Sequence, residues 1–279
     1  MDGHRWQSYD SVADAYERSW HWAFEPVARD LVELVALAPG DVVLDVGTGT
    51  GVAAAASAKA RSGVLVGIDP SVPMLRRAHA HVSLAPVAAA APGLPFPPRT
   101  FDVVVANLVV SHFSRYDDAL ADMVRVLRPG GRLGVTAWGS MGDEPVDDDE
   151  QRELTEIWSS SAAGFVDLDA AADTVDAAIP GEAWFADPAR LRAALVGSRL
   201  RGVAVHSRTY RTTLSLAEAL AGFETSVRGR YVRHTLDAAA WTRFRHEVAA
   251  AAAEALPDSV TRVDQLLLAV GTKPYETCP

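Results

Sequence analysis

Acidic residues and glycines at the ends of predicted strands are the residues of this chain whose spacing suits ligand chemistry. Asp45-Val46-Gly47-Thr48-Gly49-Thr50-Gly51 follows the apolar run Val42-Val43-Leu44. Glycines at alternate positions allow positive φ and let the backbone approach a ligand closely. The pattern predicts a buried strand, a glycine turn and a helix over 52–60. A ligand is then expected at the carboxyl end of the strand, where α/β sheets bind.

The glycine spacing argues against two other nucleotide sites. A dinucleotide-binding turn of the form Gly-x-Gly-x-x-Gly needs its last glycine at position 52, which is Val52. A phosphate-binding P-loop needs a Gly-Lys-Ser or Gly-Lys-Thr sequence, and this stretch has none.

A second acid, Asp69, ends the next apolar run, Val64-Leu65-Val66-Gly67-Ile68. A carboxylate at this place suits a ribose, because both vicinal hydroxyls can donate to it. The same residue also precedes a predicted helix, so it could instead serve only as the N-cap of that helix.

Five segments over residues 41 to 138 resemble, in type and order, the motifs of class I S-adenosylmethionine-dependent methyltransferases. The resemblance is closest to the small-molecule enzymes related to ubiquinone and menaquinone biosynthesis. The segments are the glycine turn, Asp69-Pro70-Ser71-Val72-Pro73-Met74-Leu75, Leu94-Pro95-Phe96-Pro97, Phe101-Asp102-Val103-Val104-Val105 and Val126-Leu127-Arg128-Pro129-Gly130-Gly131-Arg132-Leu133.

The resemblance implies S-adenosylmethionine as cofactor and a set of residues that hold it. Met74 would lie against the adenine, in a pocket apolar enough that Met74 also counts as core. Tyr16, with Tyr9 seven residues before it, would cover the methionine end; two tyrosines at this spacing can also simply pack. The implied cofactor-binding residues are Tyr16, Asp45, Gly47, Thr48, Gly49, Gly51, Asp69, Pro70, Met74, Leu94 and Asn107.

One stretch departs from the family pattern. Many relatives carry an acid before Leu-Pro-Phe that accepts a hydrogen bond from the adenine amino group. Here Val87-Ala88-Ala89-Ala90-Ala91-Pro92-Gly93 has neither acid nor amide. We expect backbone groups and apolar packing to hold the adenine, at a cost of about 1 kcal/mol for the missing pair.

Alternating apolar strands and helices predict an α/β fold. We expect a Rossmann-like, seven-stranded, mostly parallel sheet with helices on both faces and a helical cap from insertions. Leu120, Met123, Val124 and Leu127 form the core-facing stripe of the helix before the fifth strand. Strands are predicted at about 42–46, 64–68, 86–90, 102–107, 132–138, 202–211 and 264–272, the last two antiparallel at the sheet edge, as the resemblance implies.

The chain divides by prediction into three parts: N-terminal helices of a lid (1–40), the cofactor-binding core (41–139), and cap insertions with the last strands (140–279). The insertions run over about 139–185 and 213–257. Within and between them, Asp187 with Pro188, Ser215 with Glu218, and Asp237 are typical helix starts.

Histidines are the candidates for a general base that deprotonates an alcohol, phenol or amine acceptor. His112 follows the fourth strand by five residues, where relatives line the pocket, and otherwise packs as a polar residue. His21 lies in an aromatic stretch, 20–24, that closes over the acceptor or packs as an amphipathic helix. His206, His234 and His246 are weaker candidates.

Two charge clusters have both a binding and a solvent-exposed interpretation. Asp147-Asp148-Asp149-Glu150 could ligate Mg²⁺, but we favour the first turn of a helix, and we predict no metal site. The second cluster could receive an anionic group of the acceptor, although a solvated face is the simpler interpretation. It comprises Arg228, Arg230, Arg233, Arg243 and Arg245.

The composition of the chain excludes several classes of protein. The chain has 279 residues, a net charge of −10 and one cysteine, Cys278. A single cysteine excludes a disulfide framework and a cysteine metal site. The acidic balance argues against nucleic acid as partner. Without a signal peptide or a long apolar run, we expect a cytoplasmic protein that does not enter membranes.

Together these features predict a methyltransferase for a small, apolar or aromatic, specialised metabolite. The atom methylated stays open between O, N and C, and so does the oligomeric state. The alternative is a methyltransferase-fold cyclase or pericyclase that binds S-adenosylmethionine without transferring its methyl group.

Overall fold

A computed structural model of the chain describes residues 5–60, 62–140 and 149–275. The chain forms two compact units. The helical unit comprises Met1–Ala23, Met141–Ala178 and Tyr210–Asp264, and the sheet unit comprises Phe24–Ser140, Ile179–Thr209 and Gln265–Pro279. The boundaries at residues 40 and 139 between lid, cofactor-binding core and cap remain predictions.

The secondary structure follows the predicted alternation. The helices are α1 (Ala13–Leu34), α2 (Val52–Lys59), α3 (Val72–His81), α4 (Tyr116–Val126), α5 (Asp149–Ala163), α6 (Leu168–Ala178), α7 (Gly181–Phe185), α8 (Pro188–Gly197), α9 (Leu216–Thr225), α10 (Val227–Thr235) and α11 (Ala238–Ala255). The strands are β1 (Val43–Val46), β2 (Leu65–Asp69), β3 (Ala85–Ala88), β4 (Phe101–Ala106), β5 (Leu127–Trp138), β6 (Arg201–Ser215) and β7 (Ser259–Thr272). Short 3₁₀ turns occupy Arg5–Gln7 and Val110–His112.

In the described part of the chain, the strands form one seven-stranded sheet in the order β3-β2-β1-β4-β5-β7-β6. β1 pairs in parallel with β2 and β4, β2 with β3, and β4 with β5. β7 runs antiparallel to β5, with Val135 opposite Ala269. The predicted Rossmann-like, mostly parallel sheet is confirmed.

Apolar strands and one amphipathic helix make the core of the sheet unit. Leu120, Met123 and Val124 of α4 are buried in the cluster that contains the inner strands, as predicted. Leu127 is buried too, but the prediction that it belongs to the helix is wrong: α4 ends at Val126, and Leu127 begins β5.

The second half of α1 packs tightly on β5 because the strand carries a glycine at the contact. Leu31 is fully buried and Val35 nearly so. A Cβ built on Gly134 would lie 2.4 Å from a methyl carbon of Val35 and 3.0 Å from one of Leu31. Alanine at this position would force the helix away from the sheet.

An aromatic cluster forms part of the core of the helical unit. The Trp158 ring stands edge-on to Phe244 at 4.8 Å and stacks with Phe223 at 5.3 Å. Phe244 and Val248 of α11 are buried, and Trp241 packs against the same cluster.

The predicted helix starts are confirmed. Asp187 caps α8 and Asp237 caps α11, each by accepting a backbone N–H. Ser215 and Glu218 form the capping box of α9. β6 and β7 are both longer than predicted.

The acidic run begins α5. Asp147 and Asp148 lie outside the described residues, while Asp149 and Glu150 occupy the first turn. Glu150 accepts the Thr261 backbone N–H at 2.5 Å. Among the described residues, no group of three His, Cys, Asp or Glu could hold a metal ion. Of the helices within those ranges, none is both long and apolar enough to cross a membrane. Cys278 lies outside the described residues.

Candidate functional site

The glycine turn after β1 lies at the carboxyl end of the parallel strands and contains three residues with left-handed backbone. Gly47, Gly49 and Gly51 have φ of 67°, 54° and 89°. The Thr48 N–H donates to the Ile68 carbonyl at 2.8 Å, which joins the turn to β2. Left-handed φ disfavours any residue with a Cβ, which explains the alternate glycines.

Gly47 and Gly51 are required by packing. A Cβ on Gly47 would lie 2.4 Å from a Val109 methyl carbon. One on Gly51 would lie 3.0 Å from the Cα and Cβ of Ala78 on α3. Glycine at these two positions therefore lets the turn pack closely against Val109 and Ala78.

Gly49 is different. Among the described residues, a Cβ built there would have a single neighbour within 4 Å, the Gly47 carbonyl oxygen at 3.9 Å. Space beside this residue is open, while its N–H donates to Asp69 Oδ2 at 3.0 Å. Gly49 is thus the glycine of the turn that leaves room for a ligand.

Asp45 presents a buried carboxyl beneath the turn. Its exposed fraction is 1%, and Oδ2 accepts the Thr48 hydroxyl at 2.7 Å. The other oxygen, Oδ1, has no hydrogen-bond partner among the described residues. Burial raises the pKa of Asp45 to about 7, although the Thr48 hydroxyl and the Ala54 backbone N–H oppose the shift. The nearby Asp69 carboxylate raises this pKa further.

Asp69 ends β2 and accepts two backbone N–H groups, from Gly49 at 3.0 Å and from Ser71 at 2.8 Å. The interpretation of Asp69 as the helix N-cap is wrong. Ser71 is the N-cap of α3, since its hydroxyl accepts the Met74 N–H at 3.4 Å and Pro73 lies in the first turn. Asp69 instead links the end of β2 to the glycine turn.

Pro70 and Met74 follow Asp69 but differ in exposure. Pro70 is exposed between β2 and α3. Met74 is 2% exposed, so its side chain lies in the interior of the sheet unit. The expectation that Met74 also counts as core is confirmed.

Asn107 directly follows β4, and the neighbouring strand fixes its side chain. The Thr136 hydroxyl of β5 donates to Asn107 Oδ1 at 2.8 Å and accepts the Leu108 N–H at 2.8 Å. Leu108 has φ of 54°, and the accepted hydrogen bond holds this backbone. Thr136 is fully buried, and its role could not be identified from sequence because it lies within an apolar strand.

The segment before β4 is tied to α4 by a charged pair that the motif reasoning missed. Asp122 Oδ2 accepts the N–H groups of Gly93 and Leu94, both at 2.7 Å. Arg125 donates to the carbonyls of Phe96 at 2.7 Å and Leu94 at 3.0 Å. Burial raises the pKa of Asp122, but the Leu94 and Gly93 N–H groups and Arg125 outweigh it and hold the pKa below its usual value. Leu94 itself is buried.

β3 and the residues after it, at the position of the missing adenine acid, contain only apolar side chains up to position 92. β3 pairs in parallel with β2, with Ala88 opposite Asp69. The Ala89 N–H donates to the Asp69 carbonyl at 3.3 Å. An adenine at this edge would therefore meet backbone and methyl groups, as expected from sequence.

His112 ends the 3₁₀ turn after β4 and is exposed. The backbone N–H of His112 donates to the Val109 carbonyl at 2.9 Å. His112 is therefore close to Val109, the residue whose side chain packs on Gly47. Its role as a base stays a prediction.

Tyr16 and His21 both belong to the helical unit. Tyr16 contacts Tyr9 edge-on at 5.3 Å and Trp20 at 6.2 Å. The expected tyrosine packing is therefore present, and the proposed roles of Tyr16 and His21 toward ligands stay predictions.

The turn fits the cofactor that the sequence resemblance implies. It offers an open approach at Gly49, a buried carboxyl oxygen without a partner at Asp45, and the Asp69 carboxylate within hydrogen-bond distance of the turn. Two acidic groups suit a cationic ligand, and a carboxylate with further lone pairs suits vicinal hydroxyls.

A parallel sheet with an acidic glycine turn at its carboxyl edge has the form of a Rossmann-like ligand-binding fold. Comparison with known proteins agrees, since residues 44–135 match the family described as methyltransferase domain. The resemblance to S-adenosylmethionine-dependent methyltransferases is thereby confirmed over residues 44–135.

Two relatives illustrate the similarity. Nocamycin O-methyltransferase of Saccharothrix syringae is 34% identical over 136 residues, 46% of this chain and 49% of the relative. Ubiquinone/menaquinone biosynthesis C-methyltransferase UbiE of Ectopseudomonas mendocina is 31% identical over 144 residues, 48% of this chain and 55% of the relative. The chain thus spans about half the length of the curated relatives it matches.

The solved structures show that the same fold also serves other chemistry. The 4+2 cyclase SpnF matches with a TM-score of 0.51 and 20% identity, over 92% of this chain and 84% of that chain. At this identity the similarity concerns the fold alone.

Proposed function

We propose that this protein transfers a methyl group from S-adenosylmethionine to O, N or C of a small, apolar or aromatic, specialised metabolite. The observation that carries the proposal is the glycine turn: Gly47 and Gly51 are packed, Gly49 faces open space, and two carboxyl groups lie beside it. Relatives named as O- and C-methyltransferases of small molecules support this acceptor class.

When bound, the cofactor supplies a methyl group on an electrophilic sulfonium sulfur. The task of the chain is then to hold two reactants in line. In this proposal Gly49 admits the ligand, Asp69 accepts the ribose hydroxyls, and the buried Asp45 adds negative charge beneath a cationic group. Met74 and Leu94 give apolar surface to the adenine, while Gly47, Thr48, Gly51, Pro70 and Asn107 shape the turn and its surroundings.

Histidine supplies the base in this proposal where the acceptor atom carries a proton. His112 is the first candidate because it is exposed and follows the strand whose end carries Asn107. His21 and Tyr16 belong to the helical unit and are the further residues proposed to contact ligands. A histidine near the acceptor would take the proton of the acceptor atom while that atom forms its bond to the methyl carbon.

The test is stoichiometry. Purified protein with S-adenosylmethionine and a panel of phenols, hydroquinones and amines should yield one S-adenosylhomocysteine per methylated product, measured by mass spectrometry. Gly49→Val is the matched control, because it fills the open space of the turn and should abolish product.

The alternative is a cyclase or pericyclase that binds the same cofactor without transferring methyl. Two observations support this cyclase alternative. The stretch from β3 to position 92 has no polar side chain for the adenine, and the fold is shared with a cyclase. In that case product forms without a methyl mass gain, and S-adenosylhomocysteine replaces the donor without loss of rate. We favour methyl transfer because the motifs for the ribose and methionine ends are complete.

The proposal also covers the setting of the enzyme. A chain of net charge −10 with one cysteine suits a cytoplasmic enzyme whose partner is a small-molecule acceptor rather than nucleic acid or a membrane.

A further inference from the structure

The helical unit contains a cavity of about 460 Å³ that the proposed function does not use. It lies where the 3₁₀ turn at Arg5–Gln7 packs on α10. Volumes of this size are typical of sites for small organic ligands. The cavity is lined by Trp6, Ser8, Ser11, Val12, Glu224, Arg230, Arg233, His234 and Leu236.

Arg230 is the most unusual residue of the lining. Its exposed fraction is 5%, and it has no carboxylate partner among the described residues. Nε donates to the Trp6 carbonyl at 2.9 Å, Nη1 donates to the Thr225 carbonyl at 2.8 Å, and the guanidinium covers the Tyr9 ring at 3.8 Å. These contacts leave Nη2 without an acceptor in the described part of the chain, and Nη2 is not among the fully enclosed unpartnered atoms, so it is open to the cavity or to solvent. A buried charge without a counter-charge is costly, so an anion here would be stabilising.

The rest of the lining adds positive rather than negative charge. Arg233 lies three residues further along α10, on the same helix face, and His234 follows it. Glu224 is the acidic residue of the lining, but its Oε1 accepts Arg245 Nε at 2.6 Å, which offsets its charge. The cavity as a whole is therefore cationic.

Apolar groups complete the cavity. Trp6 is 5% exposed, and its ring stands edge-on to Tyr231 at 5.3 Å. Val12 and Leu236 add aliphatic surface, while Ser11 adds a hydroxyl. A bare inorganic anion would leave this apolar surface without contacts, whereas an organic anion would cover it.

We propose that this cavity binds an organic carboxylate with an apolar or aromatic body, the carboxylate facing Arg230 and Arg233 and the body facing Trp6, Val12 and Leu236. The planar guanidinium suits a carboxylate because two N–H groups can donate to two oxygens. The site is assigned by its own chemistry and does not depend on methyl transfer.

Arg230 also has a structural role, since it ties the Trp6 and Thr225 backbones together. Replacing it would leave two buried carbonyls without donors, and the variant could fail to fold. The test therefore uses Arg233, which is exposed and whose guanidinium lies over the Trp241 ring at 5.4 Å. Arg228 is the matched control, because it lies on the same helix, is exposed, pairs with Asp176 at 3.7 Å and does not line the cavity.

The experiment is calorimetric titration of the full chain with 2-naphthoate, its neutral amide 2-naphthamide, and inorganic phosphate. We expect 2-naphthoate to bind at least about 10-fold more tightly than the amide, the effect of one hydrogen bond to a charged group. Arg233→Gln should weaken 2-naphthoate by a similar factor, while Arg228→Gln leaves it unchanged. Circular dichroism confirms that both variants are folded.

Three results would overturn the proposal: no heat with 2-naphthoate, equal affinity for the acid and the amide, or equal losses in Arg233→Gln and Arg228→Gln. Phosphate binding as tightly as 2-naphthoate would contradict the role of the apolar lining. S-adenosylhomocysteine binding, measured in the same samples, reports separately on the proposed function, so either proposal can fail without the other.

Discussion

Replacing the carboxyl of Asp45 by an amide tests the electrostatics of the glycine turn directly. The pKa of Asp45 is about 7 in the folded chain, because burial disfavours the charged form, against an ordinary value of 3.8. The folded state then binds the proton more tightly than the unfolded state. Between these two pKa values the free energy of unfolding must fall as pH rises, and the loss is complete above the folded value.

The magnitude follows from the width of that window. Each pH unit within it removes about 1.4 kcal/mol of stability. From about pH 5 to about pH 8 the carboxyl should therefore cost the wild type about 2–3 kcal/mol. Asp45→Asn keeps an oxygen for the Thr48 hydroxyl but places an amino group where Oδ1 has no described partner, a pH-independent cost of about 1–3 kcal/mol. By pH 5 the wild type has already lost about 1.6 kcal/mol through the same titration, so the two proteins should be of similar stability there, and the variant should be the more stable protein at pH 8.

The assay is urea unfolding followed by tryptophan fluorescence at several values between pH 5 and pH 8, without ligand. Subtracting the two proteins cancels the titration of the histidines they share. Asp102→Asn is the control. Burial raises the pKa of Asp102, but the Val42 N–H and Arg128 outweigh it and hold the pKa below the ordinary value. Asp102 is then ionised in both states above pH 5, and its difference from wild type should not vary with pH.

A constant difference for Asp45→Asn across this range would refute the reasoning. It would mean that Asp45 is ionised at pH 5 in the folded chain, because the Thr48 hydroxyl and the Ala54 N–H offset the burial of its carboxyl.

The remaining predictions concern the turn and the base. Gly49→Val should abolish S-adenosylhomocysteine binding in calorimetry; because the left-handed φ of 54° strains any residue with a Cβ, circular dichroism must show that this variant is folded. Gly47→Ala should lower the melting temperature of the ligand-free protein, because its Cβ also meets Val109. Asp69→Ala should weaken cofactor binding by about 2–3 kcal/mol; it should also lower ligand-free stability, since Asp69 accepts two backbone N–H groups, and normal binding by the variant would exclude the ribose role. His112→Ala should lower kcat strongly with little change in cofactor affinity, and unchanged kinetics would assign His112 to packing.

Much of the sheet could be predicted because its strands are apolar runs closed by glycines and acids. All seven strands overlap the ranges that the sequence predicts, but β5 begins at Leu127 instead of 132, β6 ends at Ser215 instead of 211 and β7 begins at Ser259 instead of 264. The error has a physical reason. The helical periodicity of the apolar residues predicts that Leu127 belongs to the helix. In the structure Leu127 instead pairs with Phe101 of β4 and so belongs to the sheet. An apolar residue at a helix end satisfies both patterns, so only the pairing decides.

The residues of the candidate site that lie within short sequence motifs could be predicted. The glycine turn and Asp69 are identified by spacing within a few residues of a strand. Thr136, Asp122 and Arg125 could not be found in this way, because each acts on a segment 28 to 31 residues distant. A threonine within an apolar strand, or an Asp-Arg pair on a helix, has no local feature that reports a distant backbone partner.

Asp45 shows why the turn is more than a tight connection. A connection between β1 and α2 gains nothing from a carboxyl that is 1% exposed, has one oxygen without a described partner, and costs stability at neutral pH. Sequences agree with their folds at most positions, and the exceptions concentrate at functional sites. A cationic ligand at the open side of Gly49 would favour the ionised carboxyl and offset that cost. The residue that weakens the free protein is therefore the one that best accounts for a positively charged cofactor at this edge of the sheet.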